Sequence, residues 1–194
     1  MTGPEKAALD PAALRNAVTD QPASTAGAWA GGAASVEGFL RRVVADLDRM
    51  PALRVHHAEF GNYGSGYASY IDVFVTRRDG SACRSANGWT EVEGLPLALC
   101  RLAPVAVLFT PGSQSSGPDG AGSRGLPQLS LVADDAPPGW AAEYRQIRQV
   151  LDRHDLGLLD ARLLGLPLMR GLQVDTVLGD PPYTVFDAWF HWAD

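Results

Sequence analysis

Residues with chemical reach crowd one short stretch: His56, His57 and Glu59, then Tyr63, then Asp72. Imidazoles and carboxylates serve as metal ligands and as general acids and bases. Alternate residues of a strand share a face, so His57 and Glu59 project together, and Asp72 on a neighbouring strand is the candidate third donor. Zinc requires three or four convergent donors, and none of the four histidines forms a His-x-x-x-His pair. The stretch therefore reads as a ligand-binding candidate made of His56, His57, Tyr63 and Asp72, with no metal and no cofactor expected. The alternative is structural: one hydrogen-bonded imidazole beside an exposed one, with the alternation Ile71, Asp72, Val73 turning Asp72 to solvent.

Other candidate chemistry is weaker. The run Gly-Asn-Tyr-Gly-Ser-Gly at 61–66 has the composition of a phosphate-cradling loop. Such a loop needs a helix directly after it and often a Gly-Lys-Ser/Thr. Here a strand pattern follows, so a flexible connector is expected. Cys83 and Cys100 carry no local nucleophile signature. Two cysteines make no disulfide framework, so reduced thiols are expected, with Cys100 a small core residue among leucines. No Gly-x-Ser-x-Gly elbow opens a helix. The closing residues 183–192 are the densest aromatic run, and Asp187, Trp189, His191 and Trp192 are candidate partner-binding residues. They form either core or an aromatic interface beside a carboxylate.

The elements that must position these groups follow from periodicity. Val36, Phe39, Leu40, Val43, Val44, Leu47 and Met50 recur at helical spacing, which predicts a helix from a Ser35 cap to Pro51. A second helix is expected over 139–154, with Trp140, Tyr144, Ile147, Val150 and Leu151 on its apolar face and Gly157 capping it. Strands are expected over 53–60, 67–77, 81–89, 94–102 and 105–109, and a short one over 129–132. Asp79-Gly80 marks a tight hairpin, and Asn87-Gly88 is a second turn signal. Pro96 suits an edge or strand-start position. The region 183–192 reads as a closing strand-like segment that docks into the core.

The expected fold class is α+β: a mainly antiparallel sheet, a meander, packed by two principal helices. Residues 35–194 read as a single domain. Residues 1–34 read as an appendage, partly mobile or packed through Trp29, in which Asp10 caps a helix with Pro11 at its first position. The Pro, Gly and Ser of 111–128 read as a flexible surface loop.

The net charge of −6 argues against general nucleic-acid or anionic-membrane binding, which needs clustered cations. No apolar run is long enough to span a membrane. Residues 1–30 lack a charged segment leading into an apolar core, so no signal peptide is expected and the expected location is the cytoplasm. Lys6 is the only lysine among abundant Ala, Gly, Leu and Arg, a bias typical of GC-rich bacterial genomes. In its acidity, size, α+β pattern and aromatic closing segment the chain resembles the immunity proteins that bacteria make against their own polymorphic toxins. The resemblance is one of general character and transfers no residue role. It implies a non-catalytic protein-binding module that masks a basic toxin domain, with surface carboxylates steering association. Two other readings stand beside it: a small-molecule-binding protein or enzyme using residues 56–72, and a structural or assembly subunit.

Overall fold

Helix α3 (Gly32–Asp48) buries Val36, Leu40, Val43 and Leu47, the stripe its 3.6-residue period dictates. Each such side chain contributes about 1.5–3 kcal/mol before entropy is subtracted. The helix begins ahead of Ser35: Gly31 takes the cap position, and no side chain caps the first turn. The computed structural model describes residues 3–118, 121–123 and 125–194, which form an α+β fold.

Strand β1 (Leu53–Glu59) lies antiparallel to β3 (Tyr70–Arg77), β3 to β5 (Trp89–Cys100), and β5 to β6 (Val105–Leu108). Two-residue β9 (Gly157–Leu158) adds a parallel pairing beside β6. Strand β5 is the axis. Its second half pairs with β3 and β6; its first half pairs with β4 (Cys83–Ala86) and β7 (Gly112–Ser116), and β7 pairs with β8 (Gly122–Ser123). The expected breaks inside 81–102 are thus absent after residue 88. Asp79-Gly80 makes a local turn in which the Asp79 carboxylate accepts from the Ser81 N–H at 2.9 Å. The chain then continues along the same side of β5 as β4. It reverses at Asn87-Gly88, both at positive φ (52° and 78°) between the paired Ala86 and Trp89, as a two-residue hairpin requires.

Gly94 and Pro96 read as interruptions, yet both lie within β5. A Cβ on Gly94 would strike the Val75 carbonyl oxygen and the Phe74 ring, so glycine permits the close approach at which β5 passes from one set of partners to the other. The Pro96 carbonyl still accepts from Phe109 N–H at 2.9 Å. Strands β4, β7, β8 and the first half of β5 form an arm beyond the helix-covered sheet. Here the structure departs from the loop expected over 111–128: β7 is a paired strand. Its serines carry no apolar alternation, but its backbone groups are satisfied by β5, which is what a strand needs first.

The two faces of the sheet are covered differently. Ile71, Val73, Val75, Leu95, Leu97 and Leu99 face α3 and α4 (Ala141–Arg153). These are the two principal helices. Arg77 ties the layers together: it donates to Glu143 at 3.0 Å, and its guanidinium lies 4.5 Å from the Trp140 ring. Asp155, at φ 54°, makes the left-handed turn after α4, the role expected of Gly157.

The opposite face packs Tyr70, Ala98, Cys100, Val107 and Phe109 against α1 (Gly3–Ala8), α2 (Pro11–Ala17), α5 (Ala161–Leu164) and α6 (Val185–Trp189). Asp10 caps α2 through the Ala13 N–H at 2.9 Å, and Pro11 takes the first position. Residues 1–34 thus contribute Ala8, Leu14 and Ala17 to this second core. Trp29 is buried in the first, its indole donating to the Arg101 carbonyl at 2.9 Å.

Two further segments differ from expectation. Residues 183–192 hold helix α6, whose capping box has the Asp187 carboxylate accepting from the Thr184 N–H at 2.7 Å. Ahead of it Thr184 makes a lone bridge with Pro167, and after it β10 (Trp192–Ala193) pairs with β2 (Tyr67–Ala68). The expected strand 67–77 is split at Ser69, which is fully buried and whose hydroxyl donates to the Trp189 and His191 carbonyls at 3.0 Å. Residues 129–131 form a single helical turn, followed by a lone bridge between Phe109 and Val132. Among the described residues no helix is long and apolar enough to cross a membrane.

Candidate functional site

The second face of the sheet is only half covered by helices. Its open half begins where Asp72 and Phe74 of β3 stand opposite Ala98 and Pro96 of β5. On the other side, Glu59 stands opposite Asp72, and His57 opposite Phe74. The alternation of β1 would set His56 and His57 on different faces. A register shift between Val55 and His57 makes His56 the extra residue, and a bulge of this kind re-aims side chains. Both imidazoles consequently border one cleft with Gln114 and Ser116 of β7. The His56 ring meets the Phe74 ring edge-on, with centroids 6.1 Å apart.

Asp72 faces away from the helix layer, as its alternation requires, but it does not face solvent. It is 5% exposed, and its Oδ2 accepts from the Tyr63 hydroxyl at 3.2 Å. The same hydroxyl lies 3.3 Å from that of Tyr70. Tyr63 is aimed inward because Asn62 and Tyr63 both take positive φ, 53° and 57°, a costly backbone state for an aromatic residue. The Asn62 side chain fixes the turn by accepting from the Ala68 N–H at 3.2 Å. Glu59 accepts from the Gly61 N–H at 2.5 Å and lies 3.8 Å from His57. The 61–66 run is therefore a connector that delivers Tyr63, and no helix long enough to face a phosphate follows it.

Asp72, Phe74 and Pro96 form the floor of a pocket of about 190 Å³. Its roof is β7 with residues 125–131, and Leu126 and Leu131 at the rim are 37% and 42% exposed. Of the four ligand-binding candidates, Asp72 lines this pocket, Tyr63 bonds to it, and His56 and His57 border the neighbouring cleft. Glu59, Tyr70 and Gln114 join them. Glu59 was legible as the partner of His57 in a strand; Gln114 lay in a segment with no strand signal.

The four partner-binding candidates do not gather. Trp189 is fully buried with its indole donating to the Ala8 carbonyl at 3.1 Å, and Asp187 is spent in the α6 cap. His191 is 2% exposed. Its Nε2 lies 2.7 Å from the Asp20 carboxylate and its Nδ1 3.2 Å from the Ala188 carbonyl. Aromatic density there builds core, because α6 turns those rings inward. Trp192, like Asp187, is partly exposed, and it packs on the Tyr63 side of the molecule: its ring centroid is 5.0 Å from that of Tyr63.

The thiols lie outside the site. Cys83 is exposed on β4. Burial pushes the Cys100 thiol up to about 12, and its sulfur donates to the Trp189 carbonyl at 3.4 Å. Among the described residues no group of three or more His, Cys, Asp or Glu side chains could hold a metal ion.

His56 is held below the usual histidine value of 6.5, first by partial desolvation and second by the Arg54 charge. The unfolded chain therefore takes up this proton more readily than the folded one. Folding stability rises with pH from the lowered folded value to about 6.5, and the loss is complete below that window. An NMR titration should show a His56 midpoint below 6.5. Arg54→Gln should raise it only part of the way, since desolvation is the larger cause. A midpoint at or above the usual value refutes this environment.

Compared with protein-family profiles, with curated proteins and with solved structures, the chain matches none.

Proposed function

We propose that this chain is a non-catalytic protein-binding module whose partner enters the groove under the β7–β8 arm. The observation that carries the reading is the half-face of the sheet that no described helix covers. It is roofed by a polar arm instead of a helix, and the pocket it leaves has two large apolar side chains at its rim. Exposed apolar groups around a concave site are the usual mark of a binding surface. The acidic balance of the chain favours a basic partner, in keeping with an immunity-type inhibitor of a bacterial toxin domain. The contact surface in this proposal is the groove and Trp192, with Trp189 and His191 acting only as its packing support.

The cleft bordered by His56 and His57, next to the pocket that Asp72 lines, favours a second reading, a small-molecule-binding protein that uses the same groove. One experiment separates them. Tagged wild-type protein and the double variant Leu126→Glu, Leu131→Glu are used as baits in extract of the source cells. Both leucines are surface-exposed, so the variant should keep its circular dichroism spectrum. A protein retained by wild type and lost from the variant is the expected result. Equal retention by both baits removes the groove from consideration.

A further inference from the structure

We propose that the cleft between the β1 bulge and the β7–β8 pair is a binding site for a neutral saccharide. This rests on the second reading above, a small-molecule ligand in the groove, and names the chemistry of that ligand.

Size and lining come first. The cleft holds about 400 Å³, within the roughly 300–1,000 Å³ usual for small-molecule sites. The inner pocket, at about 190 Å³, falls below that range. Small-molecule sites are lined mostly by apolar and aromatic side chains. This one is lined by the imidazoles of His56 and His57, the amide of Gln114 and the hydroxyls of Ser115, Ser116 and Ser123. Such groups both donate and accept hydrogen bonds, and so does every hydroxyl of a sugar. An apolar ligand would strip water from them without replacing its hydrogen bonds.

Charge narrows the choice. Among the described residues that line the cleft there is no Asp, Glu, Lys or Arg. His56 is held below the usual histidine value, first by partial desolvation and second by the Arg54 charge. Its ring is therefore neutral at neutral pH, with one donor and one acceptor nitrogen. An ionic ligand would give up hydration there for no opposite charge on the lining.

Two local features set these groups in place. The bulge at His56 breaks the alternation of β1 and sets that ring against Phe74, with the ring planes 72° apart. Bulges concentrate where a side chain is re-aimed beside a functional site, and the held ring offers a flat face to the C–H groups of a pyranose. On the β7–β8 side, the Ser115 and Ser123 hydroxyls lie 3.1 Å apart. They orient each other into a hydrogen-bonded pair that a sugar hydroxyl can extend.

The test uses the full chain, with amide chemical shifts as the readout. The neutral probes are glucose, galactose, mannose and N-acetylglucosamine. Glycerol serves as a ringless polyol, and glucuronate and the C6-amino analogue of glucose carry opposite charges on the same ring. At least one neutral sugar should shift the amides of residues 56–57, 114–116 and 121–123. It should bind about fivefold or more tightly than glycerol or either charged sugar, the scale set by a single hydrogen bond. His56 is exposed, so His56→Ala should keep its circular dichroism spectrum while affinity falls about fivefold. Gln114→Ala is a second variant, with a similar loss expected. Equal or tighter binding of a charged sugar overturns the neutral saccharide and leaves a small-molecule cleft standing. Equal binding of glycerol overturns the sugar ring in the same way. Shifts confined to other parts of the chain, or unchanged by both variants, overturn the cleft and the small-molecule reading with it. No shift with any neutral sugar at millimolar and higher concentrations overturns the saccharide site.

Discussion

Trp189→Ala is expected to destabilise the fold by about 3–5 kcal/mol, the range for losing a large aromatic side chain from a packed core. Trp189 is fully buried, at the junction of α6 with the N-terminal helices and the second face of the sheet. Its indole donates to the Ala8 carbonyl, and its own carbonyl accepts from the Ser69 hydroxyl and the Cys100 thiol. Removing the ring empties the site on which four elements converge, and none of them can collapse without moving the others. Trp189→Phe keeps much of the volume but leaves the Ala8 carbonyl without its donor, so a smaller loss of about 1–3 kcal/mol is expected. Urea unfolding followed by circular dichroism gives both values. A loss below about 1 kcal/mol for the alanine variant would place this residue outside the range for core truncation.

The second large effect is expected at Gly94. Any side chain there meets the Val75 carbonyl oxygen and the Phe74 ring, one of them backbone that cannot swing aside. Gly94→Ala should cost about 1–3 kcal/mol, the range for overpacking, and Gly94→Val more. The damage should be local. The clash is with β3, so β5 must shift away from Val75, and the pairing of Gly94 with Gly112 passes that shift on to β7 where the arm leaves the sheet. Amide hydrogen exchange should accelerate over Gly112–Ser116 and over the first half of β5, while α3 and α4 keep the protection their buried faces provide. Uniform acceleration across both helices would contradict this picture of the arm as a separately opening unit.

Periodicity revealed the helix-facing half of the structure and little of the other half. Helices α3 and α4 and strand β6 were readable because each buries a stripe or run that only one period explains. The turn at Asn87-Gly88 was readable from its residue types. What escaped notice was set by contacts between distant residues. Strand β7 is made of Gly, Ser and Gln and is held by its backbone ladder to β5. The residues of α6 have the aromatic density of a strand, although Thr184 and Asp187 at capping-box spacing were present as a helix-start signal. Of the site, the four residues His56, His57, Tyr63 and Asp72 were legible as chemically capable groups close in sequence. Their placement depends on a bulge at His56 and on left-handed backbone at Tyr63, and neither leaves a mark on hydrophobic pattern. The burial of Asp72 depends on cover supplied from outside its strand.

The way β10 closes against β2 bears on synthesis. Ala68 and Tyr67 receive their strand partners from Trp192 and Ala193, and Ser69 takes its carbonyl acceptors from Trp189 and His191. During translation these partners emerge long after the strands they complete. Until then the face that carries Tyr70, Ala98, Cys100 and Phe109 has α1, α2 and α5 but not α6 to cover it, and partly exposed apolar surface is the kind that chaperones bind and that aggregates when crowded. Ribosomes stalled shortly before α6 should therefore display a half-clad sheet.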